Sequence, residues 1–172
     1  MKWNSEKILS ISAILISIGT FVVFAYQTSL MRKEQHMSVY PHLQFTNYQN
    51  YSRYYKYVLT NKGVGPAIVT FSDVYINGKS KGQDLASYLR DIVIKRNDSI
   101  YFTSSNISKG LFIAEKESIE LVLLSGENSY NNSVKLYEYI HNDSLEFIIN
   151  YESIYGKKWK ISNKIDLPIK IE

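Results

Sequence analysis

The side chains that could do chemistry are few and widely spread along the chain. The three histidines, His36, His42 and His141, do not have the close spacing that is typical of metal ligands. The chain has no cysteine, hence no thiol nucleophile, and no Gly-x-Ser-x-Gly segment that would expose a serine on a sharp turn. The sequence therefore predicts no catalytic residue, no metal site and no cofactor.

Carboxylates are the remaining candidates for acid–base chemistry. Asp84 and Asp91 lie on one predicted helix, where such residues usually form the solvated side of an amphipathic element. Asp98, Glu115 and Glu127 fall in predicted loops that could meet at a cleft, but nothing in the sequence indicates that they do. We therefore expect a protein that is not an enzyme.

One glycine-rich segment, Asn61-Lys62-Gly63-Val64-Gly65-Pro66-Ala67, could either hold a ligand or shape the chain. A dinucleotide-binding loop needs a third glycine and a following helix, whereas a strand-like pattern follows here. Glycine allows a positive φ, and Pro66 presses Gly65 out of the helical region. Asn61, Gly63, Gly65 and Pro66 are therefore predicted to be structural and to turn the chain between two strands, with ligand contact as the alternative.

The run from Ile8 to Ala25 is apolar, contains no charged residue and has the length that spans a hydrocarbon core. Apolar residues surround it on every side, so it has no polar face to turn to water. A cleaved secretory signal is the alternative, because Lys2 and Lys7 precede the run and Val23-Phe24-Ala25 could serve as a cleavage site.

The chain after this run still favours a helix, which argues for a retained anchor. Residues 26–38 contain neither glycine nor proline, and Pro41 is the first residue that would stop a helix. We therefore expect an N-terminal tail (1–7), a transmembrane helix (8–31) and a helical stem (32–41).

Three small residues of the run, Ser10, Ser17 and Gly19, would let a second helix approach closely, and we predict that they form a helix–helix contact. The flanking charges set the orientation only weakly. Two lysines and the α-amino group precede the run, while Arg32 and Lys33 follow it. This count slightly favours a single-pass protein of the cell (inner) membrane with its domain on the extracytoplasmic side.

The remaining domain, residues 42–172, is nearly neutral. The chain carries a net charge of +4, and four basic and two acidic side chains precede Ser38, which leaves the domain a net charge of +2. A nucleic-acid surface is usually strongly basic, so no nucleic acid is expected as a partner. The alternation in residues 53–57 instead indicates a strand whose tyrosines pack and whose lysine is solvated.

The hydrophobic pattern of the domain is mostly that of strands. Its clearest element is a terminal hairpin, in which residues 145–152 and 158–165 alternate apolar and polar side chains on either side of a turn. Asn77-Gly78 is a second hairpin signal, and Leu85 to Val93 have helical spacing. The predicted fold is mainly β: an N-terminal transmembrane helix and stem, then an antiparallel β-sandwich (immunoglobulin-like) or partly open barrel with one or two short helices.

The motif Asn61-x-Gly63-x-Gly65-Pro66-Ala67 resembles the N-x-G motif of immunoglobulin-like bacterial adhesion and cell-surface modules. A longer pattern adds residues 26–41, then Tyr151-x-Ser153-Ile154-Tyr155-Gly156 and Trp159, and is similar to a family of uncharacterised bacterial single-pass membrane proteins. The resemblance implies the architecture and structural roles for Tyr155, Gly156 and Trp159. It implies no catalytic residue.

An anchored domain without catalytic groups is typical of an interaction module. We expect it to bind or assemble with a partner protein, or with further copies of itself, because a shared bilayer raises the effective concentration of partners. The alternative is a ligand-gated membrane sensor or effector that binds a small molecule such as a nucleotide second messenger. A concave pocket lined by tyrosines and a few convergent basic groups would favour that alternative.

Overall fold

The structure is a computed structural model that describes residues 4–48, 52–124 and 130–171. The chain divides into two compact units, Met1–Ser38 and Val39–Glu172. The domain therefore begins before the boundary at residue 42 that the sequence suggested, because residues 39–41 bond to and pack against the rest of the domain.

The first unit is one helix, α1, over Ser5–Met37. It begins inside the expected tail, directly after Asn4, which has an extended backbone. It ends at Ser38, whose backbone N–H donates to the carbonyl oxygen of Glu34. The helical stem expected over residues 32–41 thus stops short, and the chain has left the helix before it reaches Pro41.

Helix α1 is long and apolar enough to cross a membrane, with a mean hydropathy of 2.5 in its most apolar window and none of that window buried within the molecule. The hydroxyl of Ser10 donates to the carbonyl oxygen of Glu6, so it is satisfied within the helix. At about 100° per residue, Ser10 and Ser17 share one face of the helix and Gly19 lies on the opposite face. One helix–helix contact can therefore include the two serines but not Gly19.

Among the described residues, the second unit contains ten strands and two helices. In chain order these are β1 (Leu43–Tyr48), β2 (Lys56–Asn61), β3 (Ala67–Ile76), β4 (Lys79–Ser80), α2 (Leu85–Lys95), β5 (Phe102–Ser104), β6 (Phe112–Ile113), β7 (Ser118–Leu124), α3 (Tyr130–Ile140), β8 (Leu145–Glu152), β9 (Lys158–Ser162) and β10 (Ile169–Ile171).

The strands form two antiparallel sheets, which confirms the mainly β architecture. The first sheet has the order β1-β2-β7-β5, and the second has the order β10-β9-β8-β3-β4, with β6 also paired to β3. The hairpin predicted from the terminal alternation is β8 and β9, and β8 is the middle strand of the second sheet. Strand β10 lies at an edge, as Pro168 had indicated.

The core is a single cluster of buried side chains contributed by both sheets and both helices. Helix α2 contributes Leu89 and α3 contributes Leu136, so the apolar stripe of each helix faces this core. On β8, the buried side chains of Phe147, Ile149 and Tyr151 alternate with polar or more exposed neighbours. The opposite side of the second sheet is its outer face, although one row on that side, Asp73, Ile148 and Ser162, is also buried.

One turn and one short strand illustrate what the sequence could and could not predict. Asn77 and Gly78 join β3 to β4 with φ of 49° and 74°, which confirms the two-residue hairpin. Strand β6 was not predicted from the sequence. Its two residues pair with Ala67 and Ile68, and a strand this short has no detectable alternation in the sequence.

Candidate functional site

The segment of residues 39–43, which follows α1 in the chain, is held by both sheets. The backbone N–H of Lys62 donates to the carbonyl oxygen of His42 at 2.7 Å, and that of Val64 donates to Tyr40 at 3.1 Å. These bonds continue the β1–β2 pairing beyond the strand ends. The residues that hold the segment are here named the cradle: Asn61, Gly63, Gly65, Tyr151 and Trp159.

Asn61 is the centre of the cradle and is fully buried. Its Oδ1 accepts hydrogen bonds from the backbone N–H groups of His42 at 3.1 Å and Gly63 at 3.0 Å. Its Nδ2 donates to the carbonyl oxygens of Gly65 at 2.8 Å, Ala114 at 3.1 Å and Ile113 at 3.2 Å. One side chain thereby joins the glycine-rich turn, the segment after α1 and the chain between β6 and β7.

Gly63 and Gly65 are required because the backbone of the segment passes directly over them. A Cβ atom on Gly63 would lie 2.2 Å from the carbonyl oxygen of Tyr40, and one on Gly65 would lie 2.2 Å from that of Val39. Both distances are far below van der Waals contact with atoms that cannot rotate away. Neither glycine has a positive φ, so close approach, and not the conformational freedom expected from the sequence, explains them.

The second sheet contributes two aromatic residues to the cradle. Trp159 stacks on Tyr151 with their ring centroids 5.8 Å apart, and it receives the edge of Tyr40 at 5.1 Å. The backbone N–H of Leu43 donates to the hydroxyl of Tyr151 at 3.4 Å. Burial raises the pKa of Tyr151, so the hydroxyl stays protonated and uncharged beside the segment.

The other motif residues lie outside the cradle. Gly156 adopts a φ of 71° in the turn between β8 and β9, where its N–H donates to Ser153 at 2.9 Å. Tyr155 occupies the same turn and is exposed. Pro66 immediately precedes β3. The structure therefore brings Asn61, Gly63, Gly65 and Trp159 together at residues 39–43, whereas Tyr155 and Gly156 lie in the turn between β8 and β9.

A second candidate is a groove beside α2 with a volume of about 540 Å³. Its lining combines apolar and charged side chains from α2, the end of β3 and the chain that follows β4: Ile76, Lys81, Gln83, Tyr88, Asp91, Ile92, Lys95 and Arg96. Three basic groups against one carboxylate give the groove a positive balance. Its size falls within the range of pockets that hold small organic ligands.

Several groups of the α2 groove already have structural partners. The amide of Gln83 donates to Asp91 at 2.9 Å, and the guanidinium of Arg96 lies 4.7 Å from the ring centroid of Tyr139. Lys95 and Arg96 also stand at the C-terminal end of α2, where cations complement the helix dipole. Burial raises the pKa of Tyr88, although the charge of Arg96 acts in the opposite direction.

His141 belongs to a buried polar network that sequence reasoning missed. Its Nδ1 lies 3.0 Å from the carbonyl oxygen of Tyr137, which can only accept, so we assign the ring hydrogen to Nδ1. Its Nε2 then accepts from Asn47 at 3.0 Å, and Asn47 in turn accepts the hydroxyl hydrogen of Tyr55 at 2.7 Å. Burial lowers the pKa of His141, in agreement with a neutral ring that is bonded at both nitrogens.

The carboxylates considered as acid–base candidates have separate structural roles. Asp84 is the N-cap of α2 and accepts from the N–H of Ser87 at 2.9 Å. Asp98 accepts from Lys135 and Tyr139, and these hydrogen bonds lower its pKa. Glu115 pairs with its neighbour Lys116; Glu127 lies outside the described residues. Within the described ranges, no three metal-ligating side chains form a cluster.

Comparison with known proteins identified no relative of this chain. Neither the protein-family models, nor the curated proteins, nor the solved structures gave a significant match to this chain.

Proposed function

We propose that this chain is a single-pass protein of the cell (inner) membrane whose sandwich domain binds or assembles with a partner protein. The apolar surface of α1 supports the anchor: Leu9 and Phe21 are about three-quarters exposed, at 75% and 74%. In water, exposed apolar area of this kind costs about 25 cal/mol per Å², a cost that a lipid environment removes.

The observation that carries the interaction role is the cradle. A domain that only had to remain near a membrane could follow a flexible linker. Here the segment directly after α1 is instead held by Asn61 and two glycines from the first sheet and by Tyr151 and Trp159 from the second. Only Ser38 separates α1 from this bound segment, so the tether between them is short, and a short tether in a shared membrane favours assembly with neighbours.

The immunoglobulin-like family resemblance and the extracytoplasmic side belong to the same proposal. The two antiparallel sheets support the sandwich architecture that the resemblance implies. The extracytoplasmic location of the domain is supported only by the extra positive group that precedes the apolar run of α1.

Four measurements on the full chain in its native membranes test the proposal: carbonate extraction, the N-terminus of the mature form, cysteine accessibility and crosslinking. A retained anchor predicts that the protein resists carbonate extraction and that its mature form still contains residues 1–25. Because the chain lacks cysteine, a single cysteine placed at Ile94 gives an unambiguous accessibility test of the domain side. A mature chain that begins at Tyr26 contradicts the anchor, and crosslinking that captures no protein neighbour contradicts the interaction role.

A second candidate function, a ligand-gated membrane sensor, is favoured by the α2 groove. One tyrosine, an apolar floor and three basic groups suit a small anion with an apolar part, such as a nucleotide. A thermal-shift screen of nucleotides and common metabolites tests it, with Lys81→Glu as the groove variant and Lys109→Glu as a matched surface control. A stabilising ligand whose effect is lost only in Lys81→Glu supports the sensor, and a screen without a shift contradicts it.

A further inference from the structure

The outer face of the second sheet carries two rows of side chains that run across its strands. Cross-strand partners in an antiparallel sheet point to the same face, so the pairing register identifies each row. In the first row, Ile171 of β10 pairs with Lys158 of β9, Lys158 pairs with Glu152 of β8, and Glu152 pairs with Ile68 of β3. The row therefore reads apolar, positive, negative, apolar.

The second row is the next one on this face, two residues along β8, β9 and β10 and three along β3, where the register shifts. It carries an amide in place of the carboxylate. Ile169 pairs with Lys160, Lys160 with Asn150, and Asn150 with Phe71. Ile169 and Phe71, at its two ends, are 51% and 41% exposed. Between them, the side-chain oxygen of Asn150 is buried and accepts no hydrogen bond from any described residue. This row reads apolar, positive, unpaired acceptor, apolar.

We propose that the outer face of the second sheet binds the same face of a second copy, related by a twofold axis that runs parallel to the strands between β8 and β9. This proposal rests on the membrane anchorage proposed above and names the partner. Rotation about that axis reverses the order of the strands across the sheet and leaves each residue at the same position along the strand direction. Lys158 of each copy then faces Glu152 of the other, and Lys160 faces Asn150.

The apolar ends of the rows match in the same way. Ile171 faces Ile68 of the other copy, and Ile169 faces Phe71. Face-packed sheets cross at about 30°, which displaces the outer strands by roughly 4 Å and leaves the charged pairs beside the axis nearly in register. The interface is isologous, so every favourable pair occurs twice.

The other in-plane twofold axis, perpendicular to the strands, is disfavoured by the same residues. Centred on the same two rows, it would place each strand over the same strand of the second copy in reversed direction, so that Lys158 faces Lys160 and like charges meet. It would also put residues 39–43 of the two copies at opposite ends of the dimer. The proposed axis places both segments at the same end, beside Trp159, which suits two chains anchored in one bilayer.

The size of the face predicts a weak dimer that depends on the membrane. Four strands about 4.8 Å apart, each contributing a length of about five residues, give a projected area of roughly 300 Å². This is well below the roughly 800 Å² that each partner buries in a stable complex. Lys160 also has a neighbour in its own chain, Glu146, at 3.9 Å, which competes for its charge. Tethering in one membrane raises the effective concentration to about the millimolar range, where such an interface can be populated.

Charge reversal in the full chain tests the dimer. Copies that carry a single cysteine at Ile94, which lies on α2 and is 76% exposed, are labelled with donor or acceptor dyes and reconstituted into liposomes. Lys158→Glu and Glu152→Lys should each lower the association constant by about tenfold, because two ion pairs become two repulsive contacts. The double variant Lys158→Glu/Glu152→Lys restores both pairs and should restore energy transfer. Lys56→Glu, which breaks an exposed ion pair with Glu120 on the first sheet, is the matched control and should leave energy transfer unchanged.

The outcomes separate the dimer from the anchor. A chain that does not float with the liposomes refutes the anchorage, whereas energy transfer measured on the floated fraction addresses the dimer alone. Floated chain with no more transfer than randomly placed labels refutes the dimer, and so does a double variant that stays as weak as the single ones. The thermal midpoint of each variant, measured beside the unmodified chain, shows that the domain remains folded.

Discussion

Replacing Asn61 by alanine tests whether the cradle holds the segment that follows α1. The substitution removes five hydrogen bonds, two accepted by Oδ1 and three donated by Nδ2, from a side chain with no exposed surface. A typical hydrogen bond contributes about 1 kcal/mol, and a buried group left without a partner costs more than an exposed one. Since two hydrogens serve three acceptors, we expect a loss of about 3–5 kcal/mol in unfolding free energy.

The assay is urea unfolding followed by the fluorescence of Trp159, in a chain whose other tryptophan, Trp3, is replaced by phenylalanine. Trp159 is buried beside Tyr40, so its emission reports on the cradle directly. For a domain of this size, the expected loss corresponds to a thermal midpoint about 10–20 °C lower. Asn106→Ala, at an exposed asparagine, is the matched control and should change the midpoint little.

Asn61→Asp makes the test sharper because it keeps the shape of the side chain. Its second oxygen would face the carbonyl oxygens of Gly65, Ile113 and Ala114, so the charged form should destabilise the domain at least as much as alanine does. The reasoning is refuted if Asn61→Ala costs no more than Asn106→Ala, or if Asn61→Asp is tolerated at pH 7.

Three further predictions concern the domain. Gly65→Ala should destabilise it by about 2–4 kcal/mol in thermal melts, since the added carbon would lie 2.2 Å from a backbone oxygen, whereas Gly82→Ala, with no atom within 4 Å, should cost only the strain of its positive φ. A fragment that begins at Ser38 should show a cooperative thermal transition, and one that begins at Gln44 should lose it or melt well below, because only the first retains residues 39–43. Because burial lowers the pKa of His141, its contribution to stability should be full above about pH 6.5, the ordinary histidine pKa, and should fall as the pH drops below it. Urea titrations at pH 7.5 and 5.5 measure the difference in unfolding free energy between the two pH values, and this difference should be smaller in His141→Gln. An unchanged difference would contradict the assignment of a neutral His141.

The local elements were predictable where a periodic pattern was long enough. The alternation of β8 and β9, the helical spacing of α2 and the Asn77-Gly78 turn each combine a clear period or turn signal with the expected chemistry. The cradle was only half predictable: the glycines marked an unusual backbone, but their reason is a segment that is distant in sequence. Close approach between strands depends on register, which local periodicity does not encode. The polar network of His141 was missed for the same reason, since Asn47 is 94 residues away.

Strand β8 connects the two proposals, because its alternating side chains serve both. Tyr151 points into the core and bonds to the segment after α1, while its neighbours Asn150 and Glu152 point outward to the face proposed for dimerisation. A strand cannot shift its register for one face without moving the other. Damage to the cradle that displaces β8 should therefore weaken the dimer, whereas charge reversal at Glu152 should leave the cradle intact. That asymmetry is measurable, because Trp159 fluorescence reports the cradle and energy transfer reports the dimer in the same chain.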